Sequence, residues 1–128
     1  MKRDLYSNIG TAPAIVPAVK TAAADGLTID TKGFNSLAIA VTTGAVAGDG
    51  DFGLALEDSD EAGSGFAAVG ADFVDNNAPA TLAASSTYKL GYRGHKRFVR
   101  LQLTKAGGTS IALGAVAVLG NPADAPVA

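Results

Sequence analysis

The sequence predicts a single all-β domain, a β-sandwich of jelly-roll-like form with extended N- and C-terminal arms. Three observations carry this. Short runs alternate apolar and polar residues with a period of two, as half-buried strands require. Clusters of Gly, Asp, Asn and Pro separate those runs at a spacing of ~8–12 residues. No stretch repeats its apolar residues at helical spacing. At 128 residues the chain has the length of one domain and can bury a core without disulfides.

Residues 1–20 read as an extended arm. Pro13 and Pro17 each remove an amide donor and bias the preceding residue away from helix. Ile15, Val16 and Val19 are too apolar to be left in water, so the arm is expected to lie on a neighbouring molecule rather than on its own core. The domain proper is expected over 21–120. Asp25-Gly26 marks a turn, and Leu27 and Ile29 alternate with Thr28 and Asp30 as a short strand. After the turn Lys32-Gly33, Leu37, Ile39 and Val41 share one strand face. Gly44 to Gly53 reads as a loop, and Phe52, Leu54 and Leu56 begin a strand that ends in Glu57-Asp58-Ser59-Asp60-Glu61. Gly63-Ser64-Gly65 is a turn, with short strands expected on either side of Gly70 and a loop over 76–79.

Tyr88, Leu90 and Tyr92 alternate with Lys89 and Gly91. The clearest strand is 98–104, with Val99, Leu101 and Leu103 facing in and Arg100, Gln102 and Thr104 facing out. Gly107-Gly108 is read as a hairpin connection, so the run 111–119 is expected to return beside 98–104 as its antiparallel neighbour. That last run is apolar on both faces and belongs in the middle of a sheet or under cover on both sides; its small residues permit close sheet packing. The tail 121–128 carries Pro122 and Pro126 and is expected to leave the sheet.

Composition excludes several classes of function. There is no cysteine, hence no disulfide, thiolate metal site or cysteine nucleophile, and a single histidine excludes a multi-histidine metal cluster. A net charge of −2 argues against a nucleic-acid binder driven by bulk charge. No apolar run approaches the ~20 residues of a membrane-spanning helix, and Lys2 and Arg3 are followed by Asp4, Ser7 and Asn8 where a signal sequence would turn apolar. Synthesis in the cytoplasm without an export signal is the expectation.

Charge is segregated along the chain. No basic residue lies between Lys32 and Lys89, a stretch that holds Asp49, Asp51, Glu57, Asp58, Asp60, Glu61, Asp72 and Asp75. No acid lies between Asp75 and Asp124, a stretch that holds Lys89, Arg93, Lys96, Arg97, Arg100 and Lys105. Two readings follow. The blocks are solvated surfaces, or they orient head-to-tail contact with identical neighbours or with a complementary surface.

Motifs for chemistry are weak. Gly48-Asp49-Gly50-Asp51-Phe52-Gly53 fits the spacing of a dinucleotide fingerprint, but Asp49 and Asp51 repel phosphate and a strand follows where a helix N-terminus is needed. The acids at 49–51 and 57–61 lack the order of a calcium loop. His95 precedes Lys96 and Arg97, and no nucleophile motif accompanies it. Tyr92 and Phe98 amid the basic run fit base stacking on nucleic acid, a reading opposed by the net charge and the acidic block. Neither an enzyme nor a cofactor is expected.

Several segments together carry a resemblance: Met1-Lys2-Arg3-Asp4-Leu5-Tyr6, the run from Ala12 to Val19, the run Tyr88 to Arg100 with Tyr92-Arg93-Gly94-His95-Lys96-Arg97, and Thr109-Ser110-Ile111 through Leu119-Gly120-Asn121-Pro122. In this order and spacing the chain resembles small head decoration, or cement, proteins encoded beside the major capsid protein of tailed bacteriophages. The likeness runs along nearly the whole chain and brings no catalytic residue. It implies a virion protein on the capsid surface whose partners are the major capsid protein and copies of itself, a trimer being the favoured oligomer, with no nucleic acid and no membrane. The candidate contact residues are then Ile15, Val16 and Val19 of the arm, the acids Asp49, Asp51, Glu57 and Asp58, and the bases Arg93, Lys96, Arg97 and Arg100. A head–tail joint protein and a carbohydrate-type binding sandwich stand as alternatives. Arg97-Phe98-Val99-Arg100-Leu101 also resembles a strand of discoidin-type sandwiches, although that match covers one strand alone.

Overall fold

The computed structural model describes residues 5–76, 78–79 and 81–122. The architecture is the expected all-β sandwich of two antiparallel sheets. In chain order the strands are β1 (Gly10–Lys20), β2 (Ala24–Asp25), β3 (Ile29–Asp30), β4 (Phe34–Ala47), β5 (Asp51–Ser59), β6 (Ala67–Ala68), β7 (Val74–Asn76), β8 (Thr87–Tyr92), β9 (Phe98–Gly107) and β10 (Ser110–Pro122). The first sheet has the order β1-β10-β4-β8-β7; the second has β2-β9-β5-β6, with β3 also pairing β9.

The core lies between the sheets and is built from the period-two faces. Val99, Leu101 and Leu103 of β9 and Phe52 and Leu56 of β5 meet Leu37, Ile39 and Val41 of β4 and Ile111, Leu113 and Leu119 of β10, all of them buried. Each fully buried aliphatic side chain contributes ~1.5–3 kcal/mol. The small residues Ala115 and Ala117 fill the middle of β10 on the same side. Thr43, a buried polar residue, donates to the Ala83 carbonyl at 2.6 Å and accepts from the Ser86 amide at 2.9 Å, tying the loop before β8 to the sheet.

Strands β9 and β10 are not the neighbours the sequence led us to expect. β9 pairs with β5, and β10 lies between β1 and β4 in the other sheet. The Gly107-Gly108 link is an arch that crosses the core. A second arch at 48–50 does the same between β4 and β5, so the turn there is far shorter than the loop expected over 44–53. The two arches stack: Gly108 has φ +80°, and a Cβ there would strike the backbone of Asp49 and Gly50. A hairpin and an arch share the same glycine signal, and only the pairing partners distinguish them. The position of β10 in the middle of its sheet agrees with its two apolar faces.

The arm is also corrected. Residues 10–20 are extended, but they form β1, an edge strand of the protein's own sheet, with Ala14 and Ile15 buried in its own core. Pro13 and Pro17 are tolerated because an edge strand leaves one side unpaired, and register shifts between Pro13 and Ile15 and between Ile15 and Ala18 take up the irregularity. The sandwich therefore runs from Gly10 to Pro122, wider than 21–120. Of the expected C-terminal tail, Asn121 and Pro122 close β10, and 123–128 lie outside the described residues.

One crossing closes the open side of the sandwich. The Gly26 amide donates to the Leu101 carbonyl of β9 at 2.6 Å, and the next amide, Leu27, donates to the Ala14 carbonyl of β1 at 2.8 Å. A Cβ on Gly26 would stand 2.5 Å from the Ala14 oxygen and 2.6 Å from the Leu101 oxygen. Gly26→Ala is therefore expected to lower stability by ~1–3 kcal/mol through overpacking, whereas Gly107→Ala, with nothing within 4 Å of its added methyl, is expected to change it little. Urea unfolding of both variants checks this; equal effects would mean that the crossing does not hold the sheets together.

Candidate interaction surface

The residues singled out from the sequence fall into three places. The first is the seam between β5 and β9. These strands run antiparallel with Glu57 opposite Arg100, so the acidic and basic blocks of the sequence face each other within one chain. Arg100 Nε donates to Glu57 Oε1 at 2.8 Å, and its Nη2 stands 3.6 Å from Asp25 on β2. Its guanidinium also covers the Phe66 ring at 4.3 Å. Near the seam Lys96 reaches Asp60 and Arg97 reaches Asp30, each at 2.7 Å, and in the first sheet Arg93, just after β8, reaches Asp75 of β7 at 2.9 Å. Every cation of the 93–100 run thus has an acid of its own chain. Glu57 and Asp58 belong to β5 itself rather than to a loop. The Arg97 guanidinium grips Asp30 with two nitrogens, 2.8 and 2.7 Å, and holds its carboxyl down at about 2. That contribution is complete above the ordinary value of 3.8 and is lost as pH falls toward about 2.

Asp49 and Asp51 are elsewhere. Asp51 opens the other end of β5, six residues or ~20 Å from Glu57 at ~3.3 Å per residue, and Asp49 lies in the turn before it. Asp49 is exposed in the 48–50 arch, and Asp51 accepts from the Thr81 hydroxyl at 2.6 Å. The acidic group of the sequence is therefore two separate features.

The second place joins the two sheets. Tyr92 of β8 is buried and its hydroxyl donates to Asp58 of β5 at 2.7 Å, while it accepts from the Lys96 amide at 3.0 Å. Burial, reinforced by the Asp58 hydrogen bond, pushes the phenol up to about 12. Sequence reading took Tyr92 as one more alternating strand residue. Asp58 lies 34 positions away, and no local pattern reports such a bond.

The third place is the outer face of the first sheet. Ile15 points inward and is buried, but Val16 is 57% and Val19 65% exposed. Register places Pro13 of β1, Val116 of β10 and Ala40 of β4 in one row across the sheet, followed by Lys89 of β8. A neighbouring row contains Gly114 and Thr42. Together they form an open groove of about 590 Å³ bounded by the raised Val16-Pro17 segment on one side and Thr42 and Thr87 on the other. From Thr11 to Val19, and throughout β4 and β10, there is no ionisable side chain. Val116, 40% exposed, Gly114 and Ala40 escaped the list of candidate residues. Their signal was the run 111–119, apolar on both faces, of which the sandwich covers one.

Among the described residues no three His, Cys, Asp or Glu side chains are gathered to hold a metal ion. His95 is exposed in the link between β8 and β9. Among the described residues no helix is long and apolar enough to cross a membrane. In comparisons with known proteins, no family model and no curated protein matches the chain.

Two predictions follow from these pairings. Reversing Glu57 or Arg100 alone is expected to cost ~1–3 kcal/mol, because each leaves a half-buried charge beside a like charge. The double exchange Glu57→Arg with Arg100→Glu should recover part of the loss in a double-mutant cycle. A coupling near zero would make the pair a solvated contact. For Tyr92, the folded-state value exceeds the ordinary 10, so its contribution is complete below pH 10 and is lost as pH rises through about 12. Tyr92→Phe is expected to cost ~1–2 kcal/mol at neutral pH and to flatten the fall in stability between pH 10 and 12. Parallel pH profiles for wild type and variant would contradict this.

Proposed function

We propose that this protein is a structural component of a virion, a decoration or cement protein that binds the assembled head of a tailed phage and stabilises contacts between capsomers. The likeness of ordered sequence segments to that family supports the reading. The observation that carries it is the uncharged part of the first sheet's outer face, formed by β1, β10 and β4: an assembly protein needs a built apolar surface and no substrate site. Exposed apolar faces of this extent mark interaction surfaces. The major capsid protein is the partner on the shell, and copies of the chain are partners of one another.

The physical role is additive. Each bound copy removes surface from water at a seam, and ligation of the assembled state shifts its equilibrium against disassembly. A specific contact buries ~1,600 Å² in total, and symmetric repetition multiplies a small gain per copy. The ion pairs of the β5–β9 seam are closed within the chain and serve the protein's own stability first. Docking therefore rests on apolar contact, and salt is expected to change its rate more than its extent.

The test is co-sedimentation of the purified protein with undecorated heads of a tailed phage, followed by thermal disruption of the heads. Saturable binding at a fixed ratio to capsomers and a higher disruption temperature are expected. Heads that neither bind the protein nor gain robustness would overturn the reading. A signal on a glycan array in their place would transfer the sandwich to carbohydrate recognition.

A further inference from the structure

Residues 21–33 leave the first sheet at the end of β1, cross onto β9 of the second sheet and return to the first at β4. We propose that this crossing is a charge-latched strap: it lifts off β9 as one unit while the sandwich stays folded, and salt releases it. The strap is independent of what the outer face of the first sheet binds.

Its apolar hold is slight. Ile29 is the one buried residue of 21–33, and Leu27 is 46% exposed. β2 and β3 are two residues each, so the ladder against β9 comes in two short pieces. A segment with few buried apolar contacts and solvent-exposed backbone hydrogen bonds opens at a lower free energy than the core around it. The flanks differ. β1 and β4 pair with β10 along most of their lengths, and Ile15, Leu37, Ile39 and Val41 anchor them in the core. Opening therefore stops at Lys20 on one side and at Phe34 on the other. Gly33, at φ +91° with nothing within 4 Å of an added Cβ, gives the chain room to turn at the second end.

What the strap lacks in apolar contact it has in charge. Arg97 takes Asp30 through two nitrogens, at 2.8 and 2.7 Å. Arg100 stands 3.6 Å from Asp25, and Lys105 donates to the Thr21 carbonyl at 2.8 Å. Cations spaced from Arg97 to Lys105 thus hold the strap near its end, its middle and its start. Both acids are close to half exposed, as is Arg97. Pairs in that setting are weakened by salt, whereas the Arg100–Glu57 pair within the second sheet, 25% and 15% exposed, is weakened less. Salt therefore acts on the strap before it acts on the pairing of β5 with β9.

Lifting has a structural consequence. The Leu101 carbonyl loses the Gly26 amide, and the flank of β9 that β2 and β3 cover becomes an unpaired strand edge. The strap guards the second sheet there as the prolines of β1 guard the first.

Native-state amide hydrogen exchange of the full chain, read residue by residue by nuclear magnetic resonance, tests this. The Gly26, Leu27 and Thr31 amides, which donate to Leu101, Ala14 and Arg97, report the strap. The amides that join β4 to β10 report the core. The strap amides are expected to open together, ~10-fold or more above the core. Raising sodium chloride from ~0.02 M to ~0.5 M should accelerate them a further ~3–10-fold relative to the core. Asp25→Asn combined with Asp30→Asn should reproduce that acceleration at low salt and leave little further response to it. Strap amides that exchange at the core's rate or at unrelated rates, an opening indifferent to salt, or a double variant that keeps the full salt response would overturn the proposal.

Discussion

The antiparallel pairing of β5 with β9 is the constraint on which the rest of the structure depends. It places Glu57 opposite Arg100 and Leu56 opposite Leu101, so one register serves both faces of the second sheet. A slip of one residue would turn Val99, Leu101 and Leu103 to water and separate the charges together. Because β9 is claimed by β5, the chain after Gly107 must leave that sheet. It crosses through an arch, and β10 is delivered to the first sheet between β1 and β4. The Gly26 and Leu27 amides and the Tyr92–Asp58 hydrogen bond then join the two sheets at separate points.

The same pairing decides what the surface has left to offer. With the acidic and basic blocks facing each other in one chain, charge is largely spent on cross-strand ion pairs, which at half-exposed positions contribute modestly each. Strands β1, β10 and β4 of the first sheet have no such dressing. Val116 and Ala40 stand side by side on a face bordered by an edge strand whose prolines deny a neighbour an orderly ladder. The first sheet thus interrupts its β1 edge, while among the described residues the outer side of β1, β10 and β4 stays exposed. This is the reverse of a sheet built to grow by strand addition, and it is suited to contact across that side.

Much of the fold was legible in the sequence because burial writes a period of two. Alternation turns Val99, Leu101 and Leu103 inward and they are buried, and of the two places open to the doubly apolar run 111–119, mid-sheet or covered on both sides, β10 takes the middle of its sheet. Partner choice was not legible. Gly107-Gly108 permits a hairpin and an arch alike, and nothing local says that Leu101 meets Leu56. The arm was misread for a related reason: prolines exclude helix and central strand but not an edge strand, and Ile15 finds its cover in its own core while Val16 and Val19 do not. Segregated charge suggested solvated surfaces or intermolecular contact, and neither foresaw pairing within the chain, because sequence distance conceals that Asp75 and Arg93, or Asp30 and Arg97, are spatial neighbours. The apolar outer face was visible as the two-sided run 111–119, but one chain cannot show which side the sandwich leaves uncovered.

The most direct measurement is the map of interstrand backbone contacts by nuclear Overhauser effects in solution. Contacts between Leu56 and Leu101 and between Leu54 and Leu103 are expected, together with contacts joining Val116 to Pro13 and to Ala40. Backbone contacts between β9 and β10 along 99–103 and 111–119 would restore the hairpin, dissolve the cis pairing of acidic and basic strands, and contradict the account at its root.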